Sequence, residues 1–248
     1  MFRYYVRIAL RSLYIQKIFP FINILGLSIG LAVVLLISMF SFNEMSFDKQ
    51  FKESKNIYRV ITQMNVMPYE TMATSSGAFA LAMQTAIPEV VAAVRIHRES
   101  YPVRFDENEE PNTFRVYWVD DDFFRLFDTP FLYGSPEDIF TRPNTIALSE
   151  KLVERLYGDK NPIGETFSLN DRHLMEVVAV FKSYPTNSSF AEFNSIASMQ
   201  NSTPIPNFFR FPGLDNITFA TFFLLSENAD TAFVHAKMRD VITQVTDG

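Results

Sequence analysis

The sequence predicts an α+β protein in which one N-terminal transmembrane helix is followed by a large extracytoplasmic domain. Three observations lead to this prediction: a long uncharged apolar run near the start, a change of charge sign across that run, and alternating strand-like and helix-like segments after it. The 248 residues are 48% apolar and 20% charged, which is too apolar for a disordered chain. The sequence has no cysteine, so disulfides and thiolate metal sites are excluded.

The apolar run covers residues 21–42, and no charged residue lies between Lys17 and Glu44. At about 1.5 Å per residue it forms roughly 33 Å of helix, enough to cross a hydrocarbon core of about 30 Å. A cleaved signal peptide is the competing interpretation, but its apolar region is only about 7–15 residues long and ends at a small-x-small cleavage site. We predict a basic cytoplasmic segment at 1–20, a transmembrane helix at 21–43 and an extracytoplasmic domain at 44–248.

Charge differs on the two sides of this run. Arg3, Arg7, Arg11 and Lys17 precede it without an acidic residue, so residues 1–43 carry a net charge of +4. The remaining chain holds 18 Lys and Arg against 28 Asp and Glu, a net charge of −10. The positive-inside rule then places the N-terminus in the cytoplasm and the acidic domain outside it. Because no basic run is present in this domain, nucleic acid is not expected as a partner.

The three arginines before the run recur every four residues, so on a helix they form one basic stripe. Such an amphipathic segment can lie on the inner membrane, with its cations near anionic lipid headgroups. The stripe is equally explained as a charged flank that only fixes topology. Both interpretations stay open at this point.

The segments after the run alternate in type. Residues 77–87 are rich in Ala, Leu and Met and stop before Pro88, as a helix does. Ser149 and Gly158 are positioned to begin and end a second helix. A short helix or stalk is expected at 46–56, and a hairpin tip at the acidic stretch 106–111. The other expected elements are strands at 57–66, 90–97, 101–106, 112–119, 144–149, 165–169, 174–181 and 217–225, and helices at 150–157 and 231–245.

Three adjacent carboxylates, Asp120, Asp121 and Asp122, precede an aromatic segment. A calcium site is one interpretation, but no loop of alternating oxygen ligands ending in a bidentate Glu follows. The favoured interpretation is that they cap a short helix, whose positive end attracts carboxylates.

The sequence lacks the recognisable equipment of an enzyme. It has neither a GxxxxGK[ST] phosphate loop nor a GxSxG nucleophile elbow. The histidines, His97, His173 and His235, are widely separated and lack the spacings of metal ligands. We therefore expect no catalytic residue, no cofactor and no metal site.

Two sets of residues near the apolar run are candidates for mechanical roles. Gly26 and Gly30 form a GxxxG spacing, which allows a second helix to approach closely. Glu44, Phe47 and Asp48 follow the run directly, so they would lie in the stalk that joins it to the outer domain. We predict helix packing for the first pair and coupling for the other three.

A third candidate is the loop at 204–213, where two prolines precede an aromatic group. Loops seldom bury that much aromatic surface, so an exposed contact loop for a partner or lipid is one interpretation. Its contact residues would be Phe208, Phe209 and Phe211. Packing of these aromatics in the core is the alternative.

An ordered series of short motifs runs through the chain. It comprises RIALRSL at 7–13, KIFPFINILGLSIG at 17–30, EMSFD at 44–48, IYRV at 57–60, PEV at 88–90, VD at 119–120, PNTIALSE at 143–150, LYGD at 156–159 and PIGET at 162–166. This series resembles the first helix and the MacB-like periplasmic core domain of MacB/FtsX-type ABC transporter permeases, in the form common in Bacteroidota. The resemblance covers essentially the whole chain.

The resemblance implies an outer domain of two lobes, one formed by about 57–105 and 217–245 and a middle lobe by about 106–216. It implies a non-catalytic permease subunit in the bacterial inner membrane, driven by a separate cytoplasmic ATPase and paired with a second permease subunit in a homo- or heterodimer. Mechanotransmission to the periplasmic side would then export or extract a substrate. A periplasmic adaptor or substrate protein is a further implied partner.

Two features depart from the family pattern. The strand after PIGET has Ala179 where Gly is expected, and the sequence stops at Gly248 after a single span, which suggests a fragment of a four-helix permease. A rival function is a single-span receptor or sensor whose outer domain binds a ligand. A membrane-anchored enzyme is a second rival, which the lack of recognisable catalytic motifs disfavours.

Overall fold

The computed structural model describes residues 3–5, 7, 11, 18–63, 71–104, 112–200, 202, 209, 213 and 216–246. The chain divides into two compact units, Met1–Phe47 and Asp48–Gly248. The first unit contains the helix α1 (Ile18–Met45). Its most apolar 18-residue window has a mean hydropathy of 2.5, and none of that window is buried. This helix confirms the predicted apolar segment and is long enough to span a membrane.

The second unit mixes strands and helices, as predicted. Its strands are β1 (Ile57–Arg59), β2 (Thr62–Gln63), β3 (Thr71–Met72), β4 (Val90–Arg104), β5 (Asn112–Val119), β6 (Phe131–Tyr133), β7 (Thr145–Ser149), β8 (Thr166–Leu169), β9 (His173–Phe181), β10 (Ser195–Ser198) and β11 (Ala220–Leu225). Its helices are α2 (Gly77–Ala86), α3 (Phe123–Leu126), α4 (Pro136–Thr141), α5 (Glu150–Tyr157) and α6 (Thr231–Thr246).

Six of the described strands pair in a closed ring, in the order β4, β5, β10, β7, β9, β8 and back to β4. The β5–β10 and β7–β9 pairs are parallel and the other four are antiparallel. Apolar side chains fill the ring, among them Trp118, Leu148, Phe167 and Val177. Trp118 is fully buried and donates its indole N–H to the Tyr101 hydroxyl at 3.2 Å, so its polar atom is satisfied.

The first half of β4 continues beyond the ring and pairs with β11, which pairs with β1 at the sheet edge. Helices α2 and α6 cover one face of this extension through Ala80, Met83, Val234 and Val241. Strand β4 therefore belongs to both parts of the unit. The predicted boundaries of two lobes stay a prediction, and the sheet runs without a break across them.

An aromatic cluster covers the opposite face of the extended sheet. Phe123, Phe127, Phe190 and Phe222 lie within it, with ring centroids 4.3–6.0 Å apart in the contacting pairs. Edge-to-face and tilted pairs at this spacing are favourable beyond their buried area. Much of the high phenylalanine content, 26 residues, thus forms core.

The predicted strands and helices agree with the structure in most places. Residues 90–104 form one strand rather than two, because β5 pairs along its second half. Residues 46–56 form turns rather than a helix. The predicted hairpin tip at 106–111 lies outside the described residues. Strands β3, β6 and β10 and helix α4 were not predicted.

Helix ends follow local chemistry. Ser149 accepts a hydrogen bond from the Leu152 N–H, and Gly158 ends α5 with φ 62°, both as predicted. Helix α4 begins with a capping box between Ser135 and Asp138, with Pro136 in its first turn.

Gly134 leaves room for Ala179, which occupies a position where we expected glycine. The pairing of β7 with β9 shifts register at this point, which leaves Val178 opposite no partner, and Ala179 is fully buried. A Cβ on Gly134 would lie 2.1 Å from the Val178 carbonyl oxygen. Close packing of β6 on this bulge therefore requires glycine at position 134, which also has φ +69°.

We predict that Gly134→Ala lowers the free energy of unfolding by at least about 3 kcal/mol, because the backbone must move to relieve the clash. The matched control is Gly164→Ala, at φ +88° but with no atom within 4 Å of the added Cβ. Only backbone strain of about 1–2 kcal/mol is expected there. Denaturant unfolding of the full chain measures both, and equal losses would contradict the close-packing explanation.

Candidate functional site

The second unit begins at Asp48, whose side chain is fixed to a distant segment of the same unit. Its carboxylate accepts hydrogen bonds from the Ser188 hydroxyl at 2.9 Å, the Ser189 N–H at 2.8 Å and the Ser189 hydroxyl at 2.5 Å. The Asp48 N–H donates to the Asn187 carbonyl at 3.1 Å. Hydrogen bonds to a carboxylate are short and strong compared with neutral ones. We call Asp48 with its two serine partners the Asp48 anchor.

The next residues strengthen this attachment. Phe51 is buried in the aromatic cluster, with its ring centroid 5.3 Å from that of Phe127 and 5.6 Å from that of Phe190. Lys52 donates its N–H to Asp128 at 3.1 Å, and its ammonium lies 3.1 Å from the same carboxylate. Within five residues the chain thus makes charged, apolar and backbone contacts with the domain.

The other predicted stalk residues belong to the first unit. Glu44 lies in the last turn of α1, and Phe47 follows the helix in a turn and is half-exposed. Of the three predicted coupling residues, Asp48 makes side-chain hydrogen bonds with distant residues of the second unit. A coupling role for Glu44, Phe47 and Asp48 stays a prediction.

Gly26 and Gly30 share a face of α1. An added Cβ on either glycine would meet no atom within 4 Å, so this face is open. At about 100° per residue, several polar and small residues fall within one sector of about 60°. These residues are Asn23, Gly26, Gly30, Ser41 and Glu44.

A buried ion pair fixes the centre of the second unit. Arg95 on β4 is fully buried and forms two hydrogen bonds of 2.8 Å with the Asp120 carboxylate, which follows β5. The Arg95 N–H donates to the same carboxylate at 2.9 Å, and its guanidinium lies 5.5 Å from the Phe219 ring centroid. This bidentate geometry is a structural contact that satisfies a charge taken out of water.

The three adjacent aspartates therefore have different surroundings. Asp120 faces Arg95, and Asp122 lies 3.5 Å from the Arg125 guanidinium. Asp122 occupies the N-cap position of α3 but makes no side-chain capping hydrogen bond, so the capping interpretation is correct in position only. Burial, with the charges of its two neighbours, raises the pKa of Asp121 above its usual range. In the part of the chain that the structure describes, no group of three or more acidic or histidine side chains is arranged to hold a metal ion.

The predicted exposed aromatic loop needs a correction at Phe209. This residue is buried, because its ring packs on the His97 ring with centroids 3.9 Å apart and against Phe219. It belongs to the core and is not an exposed partner contact. Phe208 and Phe211 lie outside the described residues.

One known protein family matches most of this chain. The model of the MacB-like periplasmic core domain matches residues 21–241. The chain belongs to this family. Membership, together with the apolar helix, confirms the resemblance to MacB/FtsX-type ABC transporter permeases. No curated protein sequence matches the chain.

Solved structures share the fold of this MacB-like chain. A domain of a permease protein from Porphyromonas gingivalis has a TM-score of 0.66 at 17% identity, and the match covers 79% of this chain and 84% of that one. The periplasmic region of MacB from Actinobacillus actinomycetemcomitans gives 0.55 at 12%, covering 77% and 84%. The extracellular domain of the noncanonic ABC-type transporter YknZ from Gram-positive bacteria gives 0.54 at 13%, covering 76% and 94%.

The buried His97 of the MacB-like domain makes stability depend on pH. Burial lowers the pKa of its imidazole from the usual 6.5, although Glu99, 3.9 Å away, opposes the shift. Below about pH 6.5 the unfolded chain then binds more protons than the folded chain, so stability falls as pH decreases.

We predict that the wild-type chain loses more stability between pH 7.5 and 5.5 than His97→Gln does. The variant lacks the imidazole, so any stability that it loses over this pH range comes from other groups. Thermal unfolding of the full chain at several pH values measures the difference. Parallel curves for the two proteins would contradict the role of His97.

Proposed function

We propose that this chain is a non-catalytic permease subunit of an ABC transporter, whose outer domain receives ATP-driven movement from the membrane helix. The supporting observation is the Asp48 anchor, which ties the domain within three residues of the end of α1. Membership of the MacB-like family implies an ABC transporter with an ATPase partner. Mechanotransmission would export or extract a substrate outside the inner membrane.

A short and strongly bonded connection is what such transmission requires. Three residues of extended chain span at most about 10 Å, so little slack separates α1 from Asp48. Beyond Asp48, the movement would pass into the aromatic cluster through Phe51. Packed cores are only weakly compressible and pass strain on. Movement of the helix end would therefore displace the domain rather than be absorbed in a flexible linker.

We predict that Asp48→Ala uncouples the domain from ATP hydrolysis. A fluorophore attached to Glu150→Cys reports on the domain, because position 150 is exposed at the start of α5. The native chain has no cysteine, so the fluorophore labels this position alone. In the reconstituted transporter with its ATPase partner, the ATP-dependent fluorescence change should fall at least about fivefold in Asp48→Ala. ATP hydrolysis should change little, because the substitution removes only contacts inside the second unit.

The control is Asp159→Ala, which removes an exposed carboxylate elsewhere in the same unit. It should keep the wild-type fluorescence change, and thermal unfolding checks that both variants are folded. An undiminished signal in Asp48→Ala would refute transmission through the anchor.

The open glycine face of α1 supports packing against a transmembrane helix of a second permease subunit. Leucine at positions 26 and 30 would hold that helix away, since close approach needs small residues. We predict that Gly26→Leu with Gly30→Leu raises the dissociation constant of the assembled transporter at least about tenfold. Co-purification at graded concentrations in detergent measures this loss.

A matched control exists on the same helix. Ser28→Leu with Ala32→Leu places the same spacing of leucines on a different face of α1. This control should assemble as wild type. Equal weakening by both pairs, or by neither, would reject the packing role of the glycines.

The proposal also includes the orientation of the chain in the membrane and its contacts with lipid and with periplasmic proteins. The +4 charge of residues 1–43 supports a cytoplasmic N-terminus and a periplasmic outer domain. Inner-membrane lipid would contact α1, while a periplasmic adaptor or substrate protein would contact the outer domain.

A single-span receptor is the second candidate function, and one observation favours it. A cavity of about 620 Å³ lies between α2, α6, β1 and β11, with apolar walls that include Phe79, Met83 and Met238. Ligand sites commonly measure about 300–1,000 Å³. The fluorophore on Glu150→Cys separates the two functions, because a receptor would respond to its ligand and not to ATP.

A further inference from the structure

A second cavity lies on the opposite face of the extended sheet, beside the Asp48 anchor. Its volume is about 340 Å³, and Ser189 and Phe190 form part of its wall. Ser189 also donates two hydrogen bonds to Asp48. The cavity thus shares a residue with the attachment point of the domain.

Two arginines from neighbouring parts of the sheet line this cavity. Arg98 on β4 lies directly opposite Tyr117 on β5, and Arg59 on β1 lies opposite Phe222 on β11. Side chains of paired residues share a face of the sheet, and Tyr117 and Phe222 both belong to the aromatic cluster on this face. Both guanidinium groups therefore lie on the cavity side.

Arg59 is already held in place. Its Nη2 donates to the Ala73 carbonyl at 2.9 Å, and its Cζ lies 5.6 Å from the Phe222 ring centroid. A guanidinium over an aromatic ring keeps unused N–H donors at its edge, where an anion can accept them. Holding the group before binding reduces the entropy that ligand binding must overcome.

The charges around the cavity leave these arginines available. Glu192 is the one carboxylate among the described lining residues, and it is paired with Arg115 at 2.9 Å. Glu99, next to Arg98 in sequence, lies on the other face of β4, where it accepts from the Tyr101 hydroxyl at 2.6 Å. Within the described ranges, neither Arg59 nor Arg98 has a carboxylate within ion-pair distance.

We infer that this cavity is a binding site for a flat organic anion, whose carboxylate or phosphate is held by Arg59 and Arg98. The aromatic walls define the rest of the ligand. Tyr117 and Phe193 stack with centroids 3.6 Å apart, and Phe222 closes another side. Aromatic walls favour a planar apolar body, and the guanidinium fork matches planar oxyanions. This site does not depend on the transport function proposed above.

Direct binding to the full chain in zwitterionic lipid nanodiscs tests the inference. Isothermal titration uses 2-naphthoate and 2-naphthyl phosphate as the two anionic probes, with 2-naphthamide as the neutral comparator and acetate as an anion without a ring. Either anionic probe should bind saturably with one ligand per chain, and the tighter one identifies the headgroup. The amide and acetate should bind at least about tenfold more weakly.

Substitutions of the two arginines test whether the probes bind in this cavity. Arg98→Gln and Arg59→Gln should each raise the Kd of the anionic probes about tenfold, because one charge-assisted interaction is lost. Both residues are exposed, so the fold should survive, and near-ultraviolet circular dichroism verifies it. Arg172→Gln, which removes an exposed arginine from the turn between β8 and β9, is the charge-matched control and should bind as wild type. Equal affinity for 2-naphthamide, or an unchanged Kd in folded Arg98→Gln, would overturn the inference.

Discussion

The buried pair between Arg95 and Asp120 is the contact on which the two parts of the outer domain depend. It lies on β4, the strand shared by the closed ring and the extension, and joins that strand to the chain leaving β5. Removing one partner of such a pair leaves an uncompensated buried charge, which typically costs about 3–5 kcal/mol. Because the pair also aligns backbone groups at both ends, it fixes where the ring stops and the extension begins.

The aromatic cluster extends this constraint to the first residues of the second unit. It covers the face of the sheet opposite α2 and α6, and Phe51 brings the first residues of the unit into it. A chain segment fixed by one surface hydrogen bond would detach readily, since exposed polar contacts are weak. Here the carboxylate contacts of Asp48 and the burial of Phe51 occur three positions apart in sequence, so they hold the same segment.

Sequence patterns predicted features that depend on local chemistry. The span follows from an uncharged run, and the ends of α5 follow from Ser149 and Gly158, whose effects act within a few residues. Strands β6 and β10 escaped prediction because three or four residues are too few for a periodic pattern. The hydrogen-bond partners of Asp48 were not predicted either, because Ser188 and Ser189 lie 140 and 141 residues further along the chain. The sequence left open whether Phe209 is exposed or buried, because its contact partner His97 lies 112 residues earlier in the chain.

Ser189 links the inferred anion site to the Asp48 anchor in a way that thermodynamics makes reciprocal. If a ligand in the cavity favours one position of the Ser189 segment, the same segment position favours the ligand by an equal free energy. A movement that loosens the anchor must then change ligand affinity, and ligand binding must resist or assist that movement. In a domain that only transmits movement, ligand affinity would not depend on the state of the Asp48 anchor. Coupling between ligand binding and the stability of this anchor would therefore make the outer domain a part of the permease that responds to a ligand.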